Sequence, residues 1–245
     1  MEKFIMAAGT ALRISDTLKG GTTVVLLHGY LESLEIWGDF MKELAMHYRV
    51  LAIDIPGMGI SQVRGEVHTM EFLADVLKGV LDKQGVERCF VVGHSMGGYV
   101  AQVFDVLFPE EGTAKYASML QGLVLFHSTP NPDTEEKREN RRREIELVRA
   151  DKKELNAELF APKGFAPENR KRLRAVIEQL SELISMSDSD GVVAVLNGLI
   201  QRADQNEMLR NLNVPQLFIF GREDEFIPVA AAEAIVAAQP QAEIA

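Results

Sequence analysis

The chain has a single cysteine, Cys89, in 245 residues. That excludes an intrachain disulfide and a multi-thiolate metal site, and a reducing compartment is the simplest setting. Basic residues are also scarce. There are 26 Lys and Arg against 36 Asp and Glu, a net charge of −10 and a pI near 5.1, which argues against a nucleic-acid or anionic-membrane surface. No apolar run reaches the roughly 18 residues of a membrane span. The opening MEKFIMAAGTALRIS lacks the basic start and apolar stretch of a secretory signal. These absences predict a soluble, cytoplasmic protein. No His or carboxylate cluster has metal-ligand spacing, and neither a phosphate-cradling Gly loop nor a dinucleotide fingerprint occurs, so no metal or cofactor is expected. Internal repeats and low-complexity segments are missing too.

The composition that remains, 47% hydrophobic and 25% charged, is that of a globular chain able to bury a substantial core. Strand-length apolar runs recur at Thr23 to Leu27, Arg49 to Ile53, Arg88 to Val92 and Gly122 to Phe126. Helical spacing lies between them at Leu34 to Met46, Met70 to Lys83 and Gly97 to Phe108, the last stopped by Pro109. Buried strands alternating with helices predict a mostly parallel α/β sheet covered on both faces. Lys3 to Met6 and Ala11 to Ser15 suggest an antiparallel hairpin leading into it. From about 130 to 211 strand signals stop and charged amphipathic helices take over. Strand character returns at Pro215 to Phe220, followed by a helix over Ala230 to Ala238. The predicted organisation is a core of 1–129 and 212–245, with a helical cap inserted at 130–211.

The strand ending at Val92 runs into Gly93-His94-Ser95-Met96-Gly97-Gly98, a G-x-S-x-G pattern in the strand, turn and helix context that the motif requires. Ser95 would project above the sheet as a nucleophile. The Met96 N–H, at the start of the next helix, could stabilise an oxyanion. Two further segments carry a resemblance: Leu26-Leu27-His28-Gly29-Tyr30 and Asp54-Ile55-Pro56-Gly57-Met58-Gly59-Ile60-Ser61. With the elbow, they make the chain resemble the small capped serine members of the α/β-hydrolase superfamily, over nearly all of its length outside the cap. The resemblance implies the α/β-hydrolase fold and makes the Tyr30 N–H the second oxyanion donor, with the Tyr30 side chain bordering the pocket. It implies that His28 braces the loop rather than reacting.

A serine needs a base, and the base an orienting acid. Gly221-Arg222-Glu223-Asp224-Glu225-Phe226-Ile227-Pro228 resembles the family segment that carries the acid, which makes Asp224 the acid and Glu223 a minor alternative. The five histidines are His28, His47, His68, His94 and His127, and none follows Asp224, where the family places the base. The expectation is therefore a chain truncated within its last strand, with the base beyond Ala245, little activity from residues 1–245 alone, and the strand of Leu217 to Phe220 left as an exposed edge. His127, at the end of the strand before the cap, is a possible pocket residue and a substitute base. His47 and His68 read as surface or helix-start positions, and His94 as a side chain diverging from Ser95.

Cys89 reads as an inert core residue. Arg141-Arg142-Arg143, interleaved with Glu139, Glu144 and Glu146, reads as a solvated helix face. Among the methionines, Met96, Met119 and Met186 could line an apolar pocket, although most methionines read as core filler. The expected function is hydrolysis of an ester, thioester or related acyl bond of a small molecule through acyl-Ser95. The alternatives are a ligand-binding pseudoenzyme or receptor, and a carbon–carbon hydrolase, acyltransferase, aminopeptidase or lyase using the same site. No feature of the sequence sets an oligomeric state.

Overall fold

A computed structural model describes residues 1–106 and 119–245. Eight strands form one sheet: β1 (Glu2–Ala7), β2 (Thr10–Asp16), β3 (Thr23–Leu27), β4 (Arg49–Ile53), β5 (Cys89–His94), β6 (Leu120–Phe126), β7 (Gln216–Ile219) and β8 (Glu243–Ile244). Their spatial order is β1-β2-β4-β3-β5-β6-β7-β8. β1 and β2 are antiparallel, β2 joins β4 antiparallel, and every later pairing is parallel. The predicted lead-in hairpin and parallel sheet are both present.

The central strands are apolar because both faces are covered. All five residues of β3 are buried. Val25 and Leu27 point into the larger core, while Val24 and Leu26 point into a smaller one completed by Leu34, Trp37, Val50 and Ala52. Burying Leu26 and Leu27 contributes about 1.5–3 kcal/mol each relative to exposure. Helix α2 (Met70–Lys83) supplies Leu73, Val76, Leu77 and Val80 to the larger core. The Thr69 hydroxyl caps its first turn by accepting from the Phe72 N–H at 3.1 Å. The predicted helix from Leu34 is observed as a 3₁₀ turn, Leu34–Trp37, followed by α1 (Gly38–Leu44). Helix α3 (Met96–Val106) starts directly after Ser95; the predicted stop at Phe108 and Pro109 lies outside the described residues.

Between β6 and β7 run α4 (Glu135–Arg149), α5 (Lys153–Phe160), α6 (Arg174–Ser185), α7 (Ser189–Ile200) and α8 (Asn206–Asn211). Helix α4 packs on α7, and α5 on α6. Helix α7 is fastened to the loop ahead of α2, with the His68 N–H donating to the Ala194 carbonyl at 2.8 Å and Asn197 Nδ2 donating to the Glu66 carbonyl at 2.9 Å. After β7, α9 (Val229–Ala238) leads into β8.

Several expectations need correction. The β7 strand is not an open edge: β8 pairs with it in the register Leu217↔Glu243 and Phe218↔Ile244, and Phe218 is fully buried. His68 lies two residues ahead of α2, next to its Thr69 cap, and is buried rather than on the surface. Its Nε2 accepts from the Arg64 N–H at 3.1 Å, and its Nδ1 lies 3.0 Å from the Pro56 carbonyl. Arg142 pairs with Glu135 and Glu139 and Arg143 with Glu139 on an exposed face, but Arg141 turns inward to Asp133. Met96 and Met119 are core residues, whereas Met186 is 73% exposed. Cys89 is fully buried, as expected, and burial pushes its thiol pKa up to about 12. No single described helix is long and apolar enough to cross a membrane, and no described group of His, Cys, Asp and Glu is placed to hold a metal ion.

Candidate active site

The chain turns sharply between β5 and α3, and Ser95 sits on that turn with φ of +48°. A left-handed backbone at a non-glycine residue costs on the order of 1–3 kcal/mol and persists only where its surroundings enforce it. Here they do. The Ser95 N–H donates to the Phe126 carbonyl at 2.9 Å, and the Ser95 carbonyl accepts from the Gly98 N–H at 3.0 Å and from the buried Ser128 hydroxyl at 2.8 Å. The turn also needs glycine on its far side. A Cβ on Gly97 would lie 2.3 Å from the Leu27 carbonyl oxygen and 2.7 Å from that of His28. Met96 N–H belongs to the first turn of α3, whose amides have no carbonyl partner within the helix.

The loop after β3 faces this turn. Buried His28 accepts from the Ile55 N–H at Nε2, 2.9 Å away, which leaves the ring proton on Nδ1, where it meets the Gly29 carbonyl at 2.7 Å. Burial lowers the His28 pKa and favours this neutral ring, although the nearby Asp54 charge opposes it. The Gly29 carbonyl and the Tyr30 N–H belong to one planar trans peptide and point in opposite directions. His28 therefore fixes the direction of the Tyr30 amide without touching a reacting atom. Asp54 holds the neighbouring segments, with Oδ1 accepting from the Leu34 N–H at 2.7 Å and Oδ2 from the Ile60 N–H at 3.1 Å.

Asp224 lies beyond β7. Its Oδ1 accepts from the Phe226 and Ile227 amides at 2.7 and 3.0 Å, and its Oδ2 meets His127 Nδ1 at 2.6 Å. Burial alone would raise this carboxyl's pKa, but the His127 hydrogen bond and the two amides outweigh it and hold the value below the usual range. His127 follows β6 directly and also has φ of +48°. Its neighbour Phe126 pairs with His94 across the sheet, so Ser95 and His127 leave adjacent strands side by side. Among the described residues, no hydrogen bond joins Ser95 Oγ to the His127 ring.

The sheet thus brings Ser95, Tyr30, Met96, Asp224 and His127 to one end of the parallel strands, the end where ligands bind in open α/β sheets. Glu223 is exposed and makes no such contact; Glu225 pairs with Arg170. His94 contacts side chains other than Ser95. Its ring lies 6.1 Å from that of His127, and its Nδ1 is 2.9 Å from Glu32 Oε2. Glu32 escaped the sequence reading because one of its two partners, His94, comes from a distant point of the chain. Glu144, read as part of a solvated helix face, is instead part-buried against the Tyr30 side chain. It accepts from the Tyr30 hydroxyl at 2.9 Å and from Asn156 Nδ2 at 2.7 Å, tying the Tyr30 side chain to α4 and α5. Phe160 meets the Tyr30 ring edge-on at 5.9 Å and Phe226 at 5.3 Å, so aromatic contacts run from the Tyr30 loop to the Asp224 loop.

A family model described as the alpha/beta hydrolase fold matches residues 22–245. The chain belongs to that family. This alpha/beta hydrolase chain is 28% identical over 259 residues to a 2-hydroxy-6-oxononadienedioate/2-hydroxy-6-oxononatrienedioate hydrolase of Paraburkholderia phymatum, covering 98% of the chain and 84% of that protein. It is 26% identical to a pimeloyl-[acyl-carrier protein] methyl ester esterase of Aeromonas hydrophila, covering 86% and 80%. Among solved structures it is similar to a thermophilic esterase from Thermogutta terrifontis, with a TM-score of 0.88 and 31% identity over 100% of this chain and 88% of that one. All three relatives are named as hydrolytic enzymes. This alpha/beta hydrolase is therefore placed among hydrolases that differ in the bond they cleave.

Proposed function

We propose that the chain is a serine hydrolase that cleaves an ester, thioester or related acyl bond of a small molecule, using the helices of 130–211 as a cap over the site. The observation that carries this reading is Ser95, held in a strained left-handed turn between a buried strand and a helix N-terminus, opposite a loop whose amide direction His28 fixes. Similarity to two esterases supports it.

In this mechanism Ser95 Oγ attacks the acyl carbon and its proton passes to a histidine Nε2. The carbonyl oxygen becomes an oxyanion facing the Tyr30 and Met96 amides. Donors at such a position contribute about 2.7–4 kcal/mol each. The histidine returns the proton to the leaving alcohol or thiol, and the carbon–oxygen or carbon–sulfur bond breaks to leave acyl-Ser95. Water, deprotonated by the same histidine, then releases the acid and restores the serine. Within these 245 residues the histidine that Asp224 orients is His127, with its Nδ1 on the carboxylate and its Nε2 left to accept. The transfer needs Ser95 Oγ to close on that nitrogen, and catalytic hydrogen bonds commonly tighten only with substrate bound.

The test is hydrolysis of p-nitrophenyl acetate and butyrate with a pre-steady-state burst. An acyl burst that disappears in Ser95→Ala supports the reading, and turnover that survives Ser95→Ala refutes it. His127→Ala is expected to lower the rate about 100-fold or more; an unchanged rate places the base elsewhere. A carbon–carbon hydrolase is the second reading, favoured by the Paraburkholderia phymatum relative. In that case a vinylogous 1,5-diketone is cleaved faster than either ester.

A further inference from the structure

Glu32 lies just after the loop that carries Tyr30, and its side chain is only 14% exposed. Its Oε2 accepts from the Gly29 N–H at 2.6 Å and meets His94 Nδ1 at 2.9 Å. Gly29 immediately precedes the Tyr30 amide, and His94 immediately precedes Ser95. A Cβ on Gly29 would lie 2.7 Å from Glu32 Oε2 and 3.0 Å from His94 Nδ1, so the loop, the carboxylate and the imidazole touch at one point. Nothing covalent sets the gap between the two halves of the oxyanion hole. The β3–β5 ladder aligns them as far as Leu27↔Gly93 and then ends. Beyond the ladder, this carboxylate makes the next connection.

We propose that Glu32 is a positioning residue for the oxyanion hole, its carboxylate joining the loop that carries the Tyr30 amide to the turn that carries Ser95 and the Met96 amide. The role presupposes the serine hydrolase reading above. Charge-assisted hydrogen bonds are shorter and roughly twice as strong as neutral ones, which suits a brace that must hold two backbone segments at fixed spacing. A bare carboxylate here would oppose a developing oxyanion, and His94 offsets it. Burial lowers the His94 pKa, but the charge and hydrogen bond of Glu32 outweigh that, with Asp224 adding to them, so the value is raised. Burial likewise raises the Glu32 pKa, but His94 and the Gly29 amide outweigh that and hold it below the usual carboxylate range. Each group therefore favours the charged form of the other. The other groups facing the two are neutral His28 and the His127–Asp224 pair.

The experiment compares wild type, Ser95→Ala, Glu32→Ala and Glu32→Gln by ester hydrolysis, by the rate of labelling with a fluorophosphonate, and by thermal melting. Because the hole acts in the transition state, Glu32→Ala is expected to lower kcat about 10–100-fold while KM stays within about twofold. Glu32→Gln keeps an oxygen for the Gly29 N–H and is expected to recover part of the loss. In NMR titrations the His94 pKa is expected to fall in Glu32→Gln relative to wild type, which reports the loss of the ion pair, while a loss confined to kcat is the readout that a purely structural side chain would not produce. A folded Glu32→Ala protein with unchanged kcat, or with its loss confined to KM, overturns the role. If Glu32→Ala does not fold, Glu32→Gln decides: unchanged kcat and an unmoved His94 overturn the role. A wild type that neither turns over nor labels at Ser95 overturns the serine hydrolase reading and this role with it. A live wild type with silent Glu32 variants overturns this role alone.

Discussion

Gly97→Ala is the substitution for which the structure gives the clearest magnitude. The added Cβ would sit 2.3 Å from the Leu27 carbonyl oxygen and 2.6 Å from its carbon, whereas real Cβ contacts essentially never fall under 3.0 Å. The obstacle is backbone rather than a side chain that can swing away, so the α3 turn and the β3 loop must part by at least about 0.7 Å. Met96 N–H is on one side of that gap and Tyr30 N–H on the other. A misplacement of about 1 Å costs on the order of 100-fold in rate, so kcat for p-nitrophenyl acetate is expected to fall by roughly 30- to 100-fold. Overpacking of this kind also costs about 1–3 kcal/mol, which leaves a folded protein. The assay pairs steady-state kinetics with thermal melting, and Gly164→Ala, whose Cβ would meet nothing within 4 Å, is the control. A folded Gly97→Ala protein with wild-type kcat would refute the claim that the spacing of the two amides matters.

Two further outcomes follow from buried groups away from the reacting atoms. Asp133 and Arg202 side chains are each only 2% exposed and paired at 3.2 Å, and Arg141 Nε meets the same carboxylate at 2.5 Å, so Asp133→Asn leaves buried guanidinium groups short of a counter-charge. The expected cost is about 3–5 kcal/mol, or a Tm lower by about 10 °C in calorimetry, and a change under about 1 kcal/mol would contradict it. Burial raises the Asp133 pKa, but Arg141 and Arg202 outweigh that and depress it. This contribution is therefore present above the ordinary aspartate pKa and lost as pH falls through the lower folded value, so the Asp133→Asn penalty is expected to shrink in strong acid. Cys89, with its thiol pKa near 12 and no exposure, is expected to react with a disulfide reagent at pH 8 only after denaturation; prompt native labelling would show the strand opening.

Much of the sheet was legible in the sequence because β3, β4, β5 and β6 are contiguous apolar runs, a signal that burial on both faces imposes. The elbow was legible because its glycines are demanded by backbone contacts that allow no Cβ. Contacts made across strands were not. Glu32 reads as one more charged loop residue until β3 and β5 lie side by side, and only then does it meet both Gly29 and His94. Arg141 read as one of three exposed arginines because its partner Asp133 lies eight positions back and Arg202 arrives from the far end of α7. His127 was legible as a residue near the site, but its bond to Asp224 depends on β6 and β7 being neighbours.

The central claim is that an oxyanion formed at Ser95 is received by two main-chain amides. The most direct measurement is a crystal structure of the fluorophosphonate-treated protein. The account expects phosphorus bonded to Ser95 Oγ, with the phosphoryl oxygen about 2.7–3.1 Å from both the Tyr30 and Met96 nitrogens. Phosphorus on another side chain, or a phosphoryl oxygen beyond hydrogen-bond reach of either amide, would contradict it.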